Sequence, residues 1–359
     1  MTVRLKPALI LGSGFHRHVF GERASPNQRE VLWDWHALID ATAGQMQVAT
    51  PSRQQAPVLR WETLIGRALE EGFRAPDGHW QLPGLLQAHQ VEALAKVHLA
   101  KNLQTASIDY PNSTRARIPL DPRWGCVISL NFDHAWNPAL RAKSLHLHRD
   151  SGPQKSSASM MRRDLVRIHA SVAPAHTEQT RASARLWFPN GSVLRPKTIR
   201  MGLHDYGEAP ASIQTAFRRL KSWERALLGT TSPRSKAGFD TIAYALRAAS
   251  EGEDNLSALM DQPAIPLSWV AELMYRPLYF AGVGLSEQET GLWWLLAQRA
   301  RNLARVESES NSQVRILIRR NDCMAFWATR PFGVEPVVCD DWDDGWQRLM
   351  SETAAQPNS

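Results

Sequence analysis

Two glycine turns and one amide–carboxylate corner are the places where residue types and spacing in this chain could do chemistry. Gly12-Ser13-Gly14 closes the apolar run Ala8-Leu9-Ile10-Leu11, and such a turn can bring backbone N–H groups up to a phosphate at the positive end of the next helix. Its spacing departs from the dinucleotide fingerprint G-x-G-x-x-G because Arg17 stands at the third glycine, and no P-loop lysine follows. The same three residues serve equally as a tight strand-to-helix connection. Gly282-Val283-Gly284 closes a second apolar run, 277–281, in the same manner. Between the two, Val127-Ile128-Ser129-Leu130 runs abruptly into Asn131-Phe132-Asp133. An amide that both donates and accepts beside a carboxylate suits ribose hydroxyls and a carboxamide, while Asn and Asp are also good helix caps.

Other chemistry is thin. The 12 histidines include no H-E-x-x-H, and nothing around His146 and His148 completes a metal site. Cys126, Cys323 and Cys339 lie far apart with no C-x-x-C pair, so they build neither a disulfide framework nor a four-Cys zinc site. They read as small buried hydrophobes in a reducing cytoplasm, and no metal is expected.

Strands must end beneath these candidate residues. Apolar runs at 8–11, 127–130, 185–188, 277–281 and 314–319 predict buried strands, whose carboxyl ends are where ligands of open α/β sheets bind. Helical spacing of Val31, Leu32, Trp35, Leu38 and Ile39 predicts a helix over 29–43, and Trp61, Leu64, Ile65 and Leu69 predict the next. Further helices are expected over 83–103, within 208–275, after Glu287 and Glu289, and from Asp340. The segment MMRRDLVRIHASV reads as a short helix, and Pro189-Asn190-Gly191 as a turn.

The expected fold class is α/β, a three-layer Rossmann-like sheet, mostly parallel, with helical insertions. Residues 1–206 and 276–350 form the α/β domain, with helical inserts near 25–105 and a basic insertion near 141–183. Residues 207–275 form a helical subdomain, with the ligand in the cleft between the two.

At 359 residues with 43% hydrophobic and 21% charged side chains, the composition excludes a disordered chain. It contains no apolar run of about 18 residues and no small-residue cleavage site near its first residues, so neither membrane spanning nor secretion is expected. The excess of 42 Lys+Arg over 35 Asp+Glu suits a nucleic acid, an anionic dinucleotide or simple solubility.

Four segments taken in order, ALILGSGF at 8–15, VISLNFDHAW at 127–136, WFPNGSVLRPKTIRMGLHDYG at 187–207 and YFAGVGLSEQETGLWW at 279–294, resemble the SIR2-like (sirtuin-related) domain. The tryptophan-bearing helix at 33–39 and the helix of Glu62 also resemble helical inserts of bacterial members found in anti-phage defence. The resemblance implies a sirtuin-like NAD-binding fold with NAD as substrate. Gly12, Ser13 and Gly14 would cradle its pyrophosphate, and Phe15 would lie near the nicotinamide ribose. Asn131 would hold the reacting ribose, Asp133 the carboxamide, and Gly282, Gly284, Leu285 and Ser286 the adenosine half.

Two departures from the family pattern bear on activity. Its His-Gly turn falls on Asn190-Gly191, leaving His204 or His169 as the stand-in base if the alignment shifts. The zinc ribbon of protein-deacylating sirtuins is missing. The implied activity is NAD+ glycohydrolysis, since nicotinamide leaves as a neutral molecule and cleavage chiefly needs an oriented ribose. Deacylation would need a base to activate a ribose hydroxyl. Such an enzyme would deplete NAD in anti-phage defence, held off by homo-oligomerisation or a partner protein. The other readings are an NAD- or ADP-ribose-binding regulatory module without turnover, and a nucleic-acid-associated subunit that uses the 141–183 insertion.

Overall fold

Ala8–Leu11 (β1) lies at the middle of the sheet with all four residues buried, the condition under which a strand reads as an unbroken apolar run. The computed structural model describes residues 5–20, 31–32, 34–107, 115–121, 123–133, 169–171, 185–251, 268–285, 289–303, 313–320 and 324–354. Cys126–Ser129 (β4) and Leu278–Ala281 (β7) flank β1 in parallel, with Leu11 opposite both Ser129 and Ala281. Arg185–Trp187 (β6) continues beyond β4, while Val314–Arg319 (β8) and Val334–Cys339 (β9) continue beyond β7, all parallel. His169–Ser171 (β5) closes one edge antiparallel to β6, giving the order β5-β6-β4-β1-β7-β8-β9. A separate hairpin joins Phe73–Arg74 (β2) and Trp80–Gln81 (β3).

In chain order, β1, β4 and β6 lead outward one way and β7, β8 and β9 the other. This is the doubly wound arrangement, and its direction reverses between β1 and β7.

Side chains that alternate along each strand enter two cores. Leu9, Leu11, Val127, Tyr279 and Ala281 pack under α1 (Gly14–Phe20), α2 (Trp35–Met46), α3 (Pro57–Glu71), α4 (Ala88–Ser107) and the terminal helix Trp342–Ala354. Ala8, Ile10, Cys126, Ile128, Leu278 and Phe280 face α5 (Leu203–Leu228), α6 (Lys236–Glu251), α7 (Trp269–Tyr275), α8 (Thr290–Leu303) and α9 (Met324–Ala328). The result is the expected three-layer α/β/α fold. Within the span expected as a helical subdomain, 207–275, Ile213, Leu220, Trp223, Phe239 and Ile242 share one core with the strands.

Three local departures have physical causes. His169–Ser171 is an edge strand where a short helix was expected, because β6 supplies a ladder partner that local spacing cannot reveal. The rest of the 141–183 insertion lies outside the described residues. Strand β9 escaped the apolar pattern because Glu335 and Pro336 interrupt it, and a proline is tolerated there because β9 is an edge. Among the described residues, no helix is long and apolar enough to cross a membrane.

The amino-terminal edge of the central strands is held by a buried ion pair. Arg276 and Glu272 are ion-paired, and Arg276 Nη1 donates at 2.7 Å to the Lys6 carbonyl just before β1. Gly125, just before β4, leaves room for this guanidinium, since a Cβ there would stand 2.2 Å from Arg276 Nη1. Removing one partner leaves its charge buried without the other, a loss of about 3–5 kcal/mol, whereas an apolar pair of similar volume can be nearly neutral. Arg276→Met is expected to lower unfolding stability in denaturant by about that amount, and Glu272→Leu added to it to restore most of the loss.

Candidate functional site

Because β1, β4 and β7 end level, the segments that follow them emerge side by side at the carboxyl edge, next to the reversal point. The two glycine turns are bonded to each other. Gly12 N–H donates to the Ala281 carbonyl at 3.1 Å, and Gly14 N–H to the Gly282 carbonyl at 3.0 Å. A Cβ on Gly12 would stand 2.3 Å from the Gly282 oxygen, and one on Gly14 2.8 Å from Gly282 Cα. Gly282 has φ +64°, a conformation other residues rarely adopt, and its own Cβ would stand 2.3 Å from the Phe15 nitrogen. These glycines are required by backbone contact between the turns, and the Gly12 and Gly14 amides are already engaged. Gly284 is different, since a side chain there would meet nothing within 4 Å.

Phe15 is buried in the core edge-on to Trp346, with ring centroids 5.7 Å apart. The next residue, His16, is fully buried, and its Nε2 lies 2.9 Å from Asp133 Oδ2, so the imidazole N–H donates to the carboxylate. This contact ties α1 to the segment after β4. It was not foreseen, because the two residues are 117 positions apart and His16 carries no motif.

Asn131 is half-buried. Its backbone N–H donates to Ser129 Oγ at 3.3 Å, and its side-chain Nδ2 is buried with no hydrogen-bond partner among the described residues. A buried amide donor left unsatisfied is costly and marks a place for a ligand acceptor. Asn190, after β6, donates through Nδ2 to the Leu130 carbonyl at 2.9 Å and so braces the Asn131 segment. An amide side chain has no proton to exchange near neutral pH, so Asn190 positions rather than acts as a base.

His204 points to solvent with its side chain 76% exposed, 3.2 Å from Glu208. Nothing is described of the His169 side chain, and Ser286 lies outside the described residues. Leu285 is buried with φ 42°.

The structure adds residues that no spacing singled out. Leu203 N–H donates to Glu62 Oε1 at 2.6 Å, while Asp205 accepts from Lys96 Nζ at 2.7 Å and from Met201 N–H at 3.0 Å. These bonds fasten the start of α5 to α3 and α4. Tyr206 is thereby set against Trp35 with ring centroids 6.1 Å apart, and Trp35 against Phe132 at 5.5 Å. Tyr206 keeps 41% of its surface exposed, and desolvation local to its hydroxyl raises the pKa there. Arg200, just before α5, is buried, and burial pulls its pKa down. Perturbed groups gathered at strand ends are a common mark of a functional site.

Asn131, Asp133, Asn190 and the two glycine turns are therefore assembled at one edge of the sheet, with His204 held outward. No group of three or more His, Cys, Asp or Glu side chains among the described residues could hold a metal ion. No protein-family model matches the chain, and no curated protein matches it.

Two outcomes follow from this geometry. Gly14→Val is expected to lower stability by about 1–3 kcal/mol, measured by unfolding without ligand, because its side chain enters the backbone of the facing turn. On α1, burial pushes the His18 pKa down from 6.5 to about 4, with Arg115 adding to the effect and Asp343 opposing it. The unfolded chain therefore takes up this proton first as pH falls. The stability due to neutral His18 is full above pH 6.5 and is lost as pH falls towards 4, on the order of 3 kcal/mol in total. Replacing His18 with Asn is expected to remove that part of the wild-type pH dependence over this window.

Proposed function

We propose that the chain is a SIR2-like NAD+ glycohydrolase that converts NAD+ and water to nicotinamide, ADP-ribose and a proton. The observation that carries this reading is the buried, unpartnered Nδ2 of Asn131 at the carboxyl edge of the doubly wound sheet. A donor held there can orient a ribose hydroxyl while positive charge develops at the anomeric carbon.

The resemblance of the four segments supports a place in anti-phage defence, with a homo-oligomer or a partner protein controlling the activity. Buried, unbridged Cys126 and Cys339 suit a cytoplasmic location.

One observation favours a regulatory module that binds NAD or ADP-ribose without turnover. At the family's histidine position the chain carries Asn190, and its amide is bonded to the Leu130 carbonyl.

Incubation of the purified chain with NAD, followed by chromatography of nicotinamide and ADP-ribose, tests the proposal. Wild type is expected to release both, and Asn131→Ala to slow release about 100-fold or more with an unchanged melting temperature. Release unaffected by the substitution would remove Asn131 from the site. NAD binding without product would favour the regulatory module.

A further inference from the structure

Arg200 is 6% exposed, and most of its side chain is enclosed by protein. Among the described residues it makes no side-chain hydrogen bond, and no carboxylate stands within 4.0 Å of it. The nearby carboxylates are engaged elsewhere, Asp205 with Lys96 and Glu208 with His204, and they act on Arg200 only from longer range.

Its position is fixed on several sides. The Arg200 backbone N–H donates to the Asn190 carbonyl at 2.9 Å, which places it beside the turn after β6. Ile199 and Met201 on either side are fully buried in the core beneath α2–α4. Six residues on, Tyr206 stands in the first turn of α5. Through Trp35, Tyr206 also reaches Phe132 in the segment after β4. Arg200 thus stands beside the turn after β6, whose Asn190 side chain bonds in turn to the Leu130 carbonyl after β4.

A phosphate-bearing ligand at this edge needs positive charge, and the turn after β1 has little to offer it. The Gly12 and Gly14 amides donate to the Ala281 and Gly282 carbonyls. A guanidinium presents donors in a rigid fork matched to phosphate oxygens, and it retains its charge when buried.

We infer that Arg200 is the anion-binding residue of the crevice and takes the pyrophosphate of a dinucleotide. The anion follows from Arg200 itself, whereas the dinucleotide rests on the NAD reading above. In this arrangement the glycine turns shape the floor of the site and a side chain from the start of α5 supplies its charge.

Calorimetric titration of the full chain with ADP-ribose, inorganic pyrophosphate and adenosine, alongside melting curves without ligand, tests this on wild type, Arg200→Met and Arg200→Lys. Arg200→Met is expected to bind ADP-ribose and pyrophosphate about 10- to 100-fold more weakly, with adenosine unchanged and a melting temperature no lower than wild type. Arg200→Lys should fall between the two. Unchanged affinity for both anions, an equal loss for adenosine, an unfolded or destabilised Arg200→Met, or a wild type that binds neither anion would each overturn the inference. Pyrophosphate binding that needs Arg200, in a chain that binds no ADP-ribose, would keep the anion site and end the NAD reading. ADP-ribose binding indifferent to Arg200 would do the reverse.

Discussion

The carboxyl edge of this protein is organised by two backbone hydrogen bonds, from Gly12 to Ala281 and from Gly14 to Gly282, which lock the turns after β1 and β7 together. They form only because both turns lack side chains at the points of contact and Gly282 can take a positive φ. The direction of α1 follows from them, and with it the burial of His16 against Asp133. The level ends of β1, β4 and β7 bring Asn131 to the same height. The Gly12 and Gly14 amides spent on this closure are not available to a ligand.

The polar side chains at this edge arrive from several parts of the chain. Asn131 stands on a strand end and is braced by Asn190, while Arg200 and Tyr206 are held by the Glu62 and Lys96–Asp205 bonds that fasten α5 to the opposite helical layer. The two edges of the sheet treat buried charge differently. At the amino-terminal edge Arg276 is matched to Glu272 and a carbonyl, which joins the central strands at little net cost. At the carboxyl edge Arg200 is buried with no carboxylate within ion-pair distance among the described residues. Satisfied charge at one edge and unsatisfied charge at the other separates the part that holds the fold from the part suited to a ligand.

Much of the fold was legible in the residues. The apolar runs of β1, β4, β6, β7 and β8 announced buried parallel strands, because covering on both faces makes every position apolar. Helical spacing located α2, α3 and α4, although the expected spans 29–43 and 83–103 lie three to six residues early at their ends. Strand β9 was hidden by Glu335 and Pro336, and β5 by a ladder that local pattern does not encode.

For the candidate site, the sequence by itself determined which residues end the strands: the glycine turns, Asn131, Asp133 and Asn190. Short-range signals suffice there, since a strand end is marked by the abrupt change from apolar to polar or glycine residues. Tertiary structure alone decided what those residues do to one another. It showed that Gly12 and Gly14 donate to the facing turn after β7, that Asp133 meets His16 across 117 positions, that His204 faces solvent, and that Arg200 is buried with no carboxylate partner among the described residues. Pairing, burial and desolvation are properties of residues far apart in the chain, and they exist only once the sheet has brought its ends together.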